Sequence, residues 1–227
     1  MEELTLEDQH SNVGVSLLQM HRCITRGIAT SVLSSQTFHA RGFPDIDAHD
    51  GFINYLRSLV SVLDAHHLLE DEILFPCFKG VIPEAPYDLL TFHHKIIIPF
   101  IEEIQQITNQ VAENEYHDKP LNQLNTALTN LEKIWLPHIF IEEMHFTPEA
   151  IEDLLSKEVH GKLSIELAEY SQQKTGPDYL VTPFILYNLS PKDRESFSRN
   201  LPPIVIQELI PITWKEKWQS MKPFLLD

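Results

Sequence analysis

Histidine and glutamate recur in one arrangement at two places in the chain. Glu70 follows His66 by four residues, Glu142 follows His138 by four, and a proline stands ten residues after each of these histidines. Four residues make slightly more than one turn of an α-helix, so the two side chains of each pair leave the same face. Imidazole nitrogens and carboxylate oxygens together suit transition-metal ions. The two pairs therefore predict metal ligands contributed by two helices.

Four stretches carry an apolar stripe at alternating steps of four and three residues, which is the spacing of one helix face. They run over residues 17–28, 52–73, 90–104 and 121–145, and Pro76 is expected to end the second helix. Antiparallel helices of a bundle bury such stripes against one another. The polar residues that interrupt the stripes are His21, His66, Glu70, His94, His138, Glu142 and His145. These side chains are expected to point into the core.

Polar side chains in such a core need partners, because an unpaired ionised carboxylate there is costly. A metal ion would satisfy histidine and glutamate together. A metal-free network of buried His and Glu is the alternative that the residues leave open. For His21 or His94 alone, a hydrogen bond to a backbone carbonyl would be the better explanation. The two His-Glu pairs in combination with these two histidines favour metal.

The chain has a lone His in its first and third predicted helices and His-x-x-x-Glu in its second and fourth. In this it resembles the hemerythrin-like, or HHE cation-binding, family over about residues 15–150. The resemblance implies an antiparallel four-helix bundle around two non-haem iron ions, bridged by carboxylate and by oxo or hydroxo groups. It implies dioxygen, peroxide or a related small molecule as the partner of that centre. The metal ligands that it implies are His21, His66, Glu70, His94, His138 and Glu142.

At some of these positions, an adjacent histidine or glutamate is an alternative candidate for the metal ligand. The stripes through His67 and Glu143 are polar, so both residues are expected to be more exposed than the residue before them. Helix phase alone does not separate His93 from His94, and the resemblance favours His94. The residues expected to surround the ligands or to lie in solvent are His67, His93, His145, Asp71, Glu72 and Glu143. The histidines expected at the surface are His10, His39, His49, His117 and His160.

One position departs from the oxygen-carrying members of that family. Their third helix has a second His four residues after the first, where Ile98 stands here. The loss would remove one nitrogen ligand, leaving four His and two bridging Glu to fill about eight of roughly twelve positions around two six-coordinate ions. Open positions favour reaction or sensing over reversible oxygen carriage.

Three functions are consistent with such a centre, and no catalytic residue is assigned in any of them. The first is an oxygen-, peroxide- or redox-responsive di-iron module. The alternative is a di-iron oxidase or oxygenase that acts on a small organic substrate, with residues 177–227 as a wall of its pocket. Ferritin-like iron handling ranks lower, because those bundles use Glu-x-x-His on two helices and Ile73 stands where the second copy needs His.

Composition and turn residues predict the domain organisation. The chain has 227 residues, 43% of them apolar and only seven of them glycine, which favours an all-α fold. Loops are predicted at residues 42–45, 80–86 and 114–120. Residues 1–150 are expected to form the hemerythrin-like metal-binding bundle, and residues 151–227 a helical, proline-containing C-terminal extension packed on it.

Prolines mark further helix boundaries. Thr147 and Ser190 are each followed by proline and read as N-caps, the first of a fifth helix that fades before Thr175. Pro137 falls inside the fourth stripe, where it either kinks the helix or marks a break in it.

Charge, the length of apolar runs and cysteine content indicate which partners and which cellular location to expect. A formal charge of −16 disfavours binding to nucleic acid, which requires clustered Lys and Arg. Apolar runs are too short for a membrane span. Two cysteines are too few for a disulfide framework, and the first residues lack the pattern of a secretory signal, so a cytoplasmic location is expected.

Overall fold

The computed structural model describes residues 12–113 and 118–227, and the regular elements within these ranges are all helical. The α-helices are α1 (Val13–Arg41), α2 (Ile46–Leu69), α3 (Phe75–Lys79), α4 (Tyr87–Glu113), α5 (Asp118–His145), α6 (Pro148–Leu154), α7 (Lys157–Lys174), α8 (Asp178–Asn188), α9 (Pro191–Ser198) and α10 (Lys215–Trp218). Helices α1, α2, α4 and α5 form an antiparallel four-helix bundle. Helix α5 packs between α1 and α4, and α2 closes the bundle against α4 and α1.

The connections between the bundle helices follow the predicted turn residues. Helix α1 ends at Arg41 and is capped by Gly42. The φ of Gly42 is 73°, in the left-handed region, and its N–H donates to the carbonyl of Phe38 at 2.8 Å. Glycine adopts this conformation without a steric penalty. The predicted loop at residues 80–86 separates α3 from α4. The third connection is shorter than predicted because α5 begins at Asp118, and residues 114–117 lie outside the described residues.

The predicted end of the second helix at Pro76 is wrong. Helix α2 passes into a π-helical segment, Glu70–Leu74, and then into α3, with Pro76 in its first turn. The N–H of Phe75 donates to the carbonyl of Glu70, five residues back, so the segment contains one more residue than an α-helical turn. That extra residue rotates the buried stripe. Leu74 is buried, whereas Ile73, predicted to face the core, is only half-buried.

The C-terminal extension packs on α1 and α2. It contains the end of α6, which begins at Pro148, then α7 to α10, a π-helical segment (Val205–Thr213) and a 3-10 segment (Gln219–Phe224). The Thr147 and Ser190 hydroxyls accept backbone N–H groups as N-caps, as predicted. The predicted fifth helix is divided into α6 and α7, because Ser156 is the N-cap of a second helix.

The bundle core has two apolar clusters, one on each side of a polar layer. The larger cluster joins α2 side chains such as Leu59 to extension residues such as Phe184, and the smaller one contains Phe75 and Phe146. Of the two alternatives at Pro137, a break is excluded, because Pro137 lies inside a continuous α5. None of the helices in the described part of the chain is long and apolar enough to cross a membrane.

Candidate metal centre

The polar layer between the two clusters brings together all six residues that the sequence predicted as metal ligands. They are His21 on α1, His66 on α2, Glu70 at the start of the π-helical segment, His94 on α4, and His138 and Glu142 on α5. Each is buried. Four helices therefore direct imidazole and carboxylate groups at one volume of the core.

The side chains form two groups that share one residue. The first contains His21, His66, Glu70 and Glu142, and the second contains Glu70 with His67, His94 and His138. In each group, one donor atom per residue lies within 4.8 Å of the others. Such spacing suits two cations held side by side with Glu70 between them.

The two carboxylates each turn one oxygen towards each group. Glu70 Oε1 lies 3.1 Å from His66 Nε2, and its Oε2 lies 3.4 Å from His94 Nε2. Glu142 Oε2 lies 3.1 Å from His21 Nε2, and its Oε1 lies 3.4 Å from His138 Nε2. Each carboxylate thus places one oxygen beside a histidine of each group.

His67 belongs to this layer, although its polar stripe predicted exposure. Its side chain is 1% exposed, and its ring centroid lies 4.6 Å from that of His94 and 5.7 Å from that of His138. Leu63, His66, His67 and Glu70 follow the spacing of a broad buried face, which is wider than a strict four-three stripe. His67 therefore brings a third imidazole to the second group, where Ile98 supplies none.

Hydrogen bonding within the protein does not satisfy these buried atoms. Both oxygens of Glu70 and of Glu142, Nε2 of His21 and His66, and both ring nitrogens of His67 lack hydrogen-bond partners of good geometry. Buried carboxylates in that condition are costly unless a cation compensates them. The donor types, their burial and their missing partners fit a pair of metal ions.

The two glutamates differ in their electrostatic surroundings. Burial raises the pKa of the Glu70 carboxyl, but His66, His21 and His94 outweigh this effect and leave the pKa well below its usual range. Burial and the negative charge of Glu70 raise the pKa of Glu142 to about 8. Without a metal, the centre therefore holds one negative charge more readily than two.

The histidines divide in the same way. Burial lowers the pKa of His66 to about 3 and that of His138 to about 2, so both imidazoles are neutral at pH 7, the form that binds metal. Burial also lowers the pKa of His94, but hydrogen bonds to Asp71 and Glu70 outweigh it and raise the value to about 9.

Three neighbours lie just outside the layer. Asp71 and Glu143, with side chains 34% and 39% exposed, approach His94 and His21. Glu143 is more exposed than Glu142, as predicted.

His93 and His94 differ in burial. His93 is half-buried, with its ring centroid 5.7 Å from that of His138, whereas His94 is fully buried. Of the two, His94 is therefore the one that lies in the polar layer.

Comparison with known proteins agrees with this geometry. The family model described as hemerythrin HHE cation binding domain matches residues 7–150, which is more than half of the chain. The chain belongs to the hemerythrin HHE cation-binding family. All residues of both groups lie within the matched span, and the extension beyond residue 150 lies outside it. No curated protein and no solved structure matches the chain.

Proposed function

We propose that this hemerythrin-family chain is a non-haem di-iron protein that binds or reacts with dioxygen, peroxide or a related small molecule. The observation that carries the proposal is the pair of His-rich groups that share Glu70, with Glu142 oriented between them. Mixed imidazole and carboxylate donors suit iron. Two iron ions held there would supply the redox chemistry.

The donor count leaves the two cation positions unequal. The first group offers two imidazoles and two carboxylate oxygens, while His67 gives the second group three imidazoles with its two oxygens. Of roughly twelve positions around two six-coordinate ions, about three stay open. Most of them belong to the position beside His21 and His66, which is where a small molecule would enter.

The other two functions receive less support. The aromatic side chains of the extension that the oxidase alternative requires as a pocket wall, such as Phe184 and Phe224, are buried in the apolar cluster against α1 and α2. Ferritin-like handling needs a second Glu-x-x-His, and Ile73 is half-buried outside the polar layer. A redox- or oxygen-responsive module remains the proposal.

Anaerobic reconstitution of the full chain with Fe(II) tests the proposal. We expect about two irons per chain and an absorption spectrum that changes when oxygen or peroxide is added. Recovery of the reduced spectrum on flushing with inert gas would indicate reversible binding, and a lasting change would indicate reaction. Failure to retain iron, or a spectrum indifferent to both oxidants, would overturn the proposal.

A further inference from the structure

Each bridging glutamate is followed directly by a second acidic residue that faces a histidine of another helix. Asp71 Oδ2 lies 3.0 Å from His94 Nδ1, and Glu143 Oε1 lies 3.2 Å from His21 Nδ1. The first contact joins the π-helical segment to α4, and the second joins α5 to α1. The Glu143 contact has hydrogen-bond geometry, whereas the Asp71 contact is close enough for an ion pair but is not aligned as a hydrogen bond.

These contacts serve the two histidines whose own helices supply no carboxylate. Four residues after His94 stands Ile98, and four residues after His21 stands Thr25, whereas His66 and His138 have glutamate at that distance. The neighbouring helix therefore provides the carboxylate in each case. The hydroxyl of Thr91 on α4 also donates to Asp71 Oδ1 at 3.4 Å, which helps to hold this side chain in place.

The contacts fall on the ring nitrogens that face away from the centre. Nε2 of His94 lies 3.4 Å from Glu70, and Nε2 of His21 lies 3.1 Å from Glu142, so Nδ1 is free to donate outward. An Nδ1–H that donates to a carboxylate leaves the Nε2 lone pair directed at a cation and makes the ring a more basic ligand. One such histidine belongs to each of the two groups.

We infer that Asp71 and Glu143 are positioning residues, one for each metal position, that hold His94 and His21 in the Nε2-binding tautomer and increase their basicity. The inference rests on the proposed function, because it concerns the ligands of the same centre. It assigns a role to the acidic residue after each bridging glutamate, and that role requires a carboxylate at both places.

Metal affinity distinguishes this role from ordinary surface charge. Co²⁺ binding to the full chain is measured by competition with a chelator in wild type, Asp71→Ala, Glu143→Ala and a control, Glu72→Gln. Glu72 is an exposed neighbour of Asp71 and accepts the hydroxyl of Tyr170 instead of a histidine. We expect each alanine variant to bind about 10- to 100-fold more weakly, and the control to match wild type.

Conservative variants separate orientation from charge. Asp71→Asn and Glu143→Gln keep an acceptor oxygen, so they should recover much of the affinity that alanine loses. With iron bound, they should raise the reduction potential, because losing the negative charge disfavours the more oxidised state. They also keep the test valid if an alanine variant fails to fold.

The outcomes separate this inference from the proposed function. Wild type that binds no metal would overturn the proposed function and this inference with it. Wild type that binds two ions, with all four variants within about twofold of Glu72→Gln and an unchanged potential in the conservative pair, would overturn the positioning role alone.

Discussion

Nε2 of His94 and Nε2 of His138 lie 3.2 Å apart, although the two residues belong to different helices. At that distance only one of the two nitrogens can carry a proton directed at the other. The pKa values are compatible with this restriction, since burial lowers the pKa of His138 to about 2, while Asp71 and Glu70 outweigh burial and raise that of His94 to about 9. Metal ions at the centre would take the place of such shared protons, so metal content and protonation must be linked.

The metal-free protein should lose stability as the pH rises above 6.5. The pKa of His94 is raised from 6.5 to about 9 and that of Glu142 from 4.5 to about 8, so the folded state holds both protons more tightly than the unfolded state. Their contribution is fully present below the unfolded pKa values and is lost as the pH passes the folded values. The lowered pKa values of His66 and His138 matter only below about 6.5.

Thermal unfolding with a chelator present checks this expectation between pH 6.5 and pH 9. We expect Tm to fall across that interval, and to fall less in the metal-loaded protein, where cations replace the protons. A metal-free Tm that is constant or rises over the same interval would contradict the electrostatic account of the centre.

Replacing ligands should reduce metal content and stability together. We expect His66→Ala and Glu142→Ala to fall well below two metals per chain. They should also lose the stabilisation from metal, about 2.7 kcal/mol at a free-metal concentration one hundred times Kd. Metal analysis and thermal unfolding of the loaded protein measure both effects. Retention of full metal content by both variants would refute the ligand assignment.

His67→Ala tests the point at which sequence and structure disagree. The polar stripe through His67 predicts that this variant keeps its metal, whereas its burial between His94 and His138 leads us to expect a loss like that of His66→Ala. His39→Ala is the matched control, because His39 is an exposed histidine on α1. Equal metal content in His67→Ala and the control would restore the six-residue ligand set.

Trp135 should report metal binding by its fluorescence. Its ring is fully buried, and its centroid lies 5.8 to 6.0 Å from the ring centroids of His21, His66, His67 and His138. We expect bound iron to quench its emission, and Trp135→Phe to remove that response while keeping the metal. The lost bond from Trp135 Nε1 to Thr25 Oγ1 should cost about 1–3 kcal/mol.

Trp214→Phe is the control for this signal. Trp214 lies in the C-terminal extension and is only partly buried, so the variant should keep the metal-dependent quenching. Quenching that vanishes with Trp214 and persists without Trp135 would mean that the metal lies elsewhere.

The bundle helices and the burial of His21, His66, Glu70, His138 and Glu142 could be predicted from sequence because their stripes are long and regular. His94 was separated from His93 by the family resemblance and not by its stripe. The π-helical segment could not be predicted, since its extra residue changes which side chain faces inward, Leu74 in place of Ile73, without any change in composition. The burial of His67 was missed for a related reason. A stripe of residues spaced alternately by four and three covers a narrower part of the helix surface than the face that α2 buries. Local spacing therefore predicted the stripes but not their full width.

Long-range packing explains the remaining errors. His49 was predicted at the surface, yet it is buried and its Nε2 lies 3.0 Å from the carbonyl of Val111 on another helix. His160 is likewise buried, His39 is exposed as predicted, and His10 and His117 lie outside the described residues. The position of the extension on α1 and α2 depends on contacts of the same kind, which no local pattern reports. The domain division at residue 150 stays a prediction.

Gly51 provides the test of how firmly the extension is held. A Cβ at this position on α2 would overlap the carbonyl oxygen of Ser220 in the 3-10 segment, so Gly51→Ala must displace that segment. Alanine should gain up to about 1 kcal/mol in helix propensity, but overpacking costs about 1–3 kcal/mol, and we expect net destabilisation in denaturant unfolding. Gly161→Ala on α7, where a Cβ meets nothing within 4 Å, should be neutral or stabilising. Neither glycine belongs to the polar layer, so both variants should keep their metal. A Gly51→Ala protein as stable as Gly161→Ala would show that the 3-10 segment does not pack against α2.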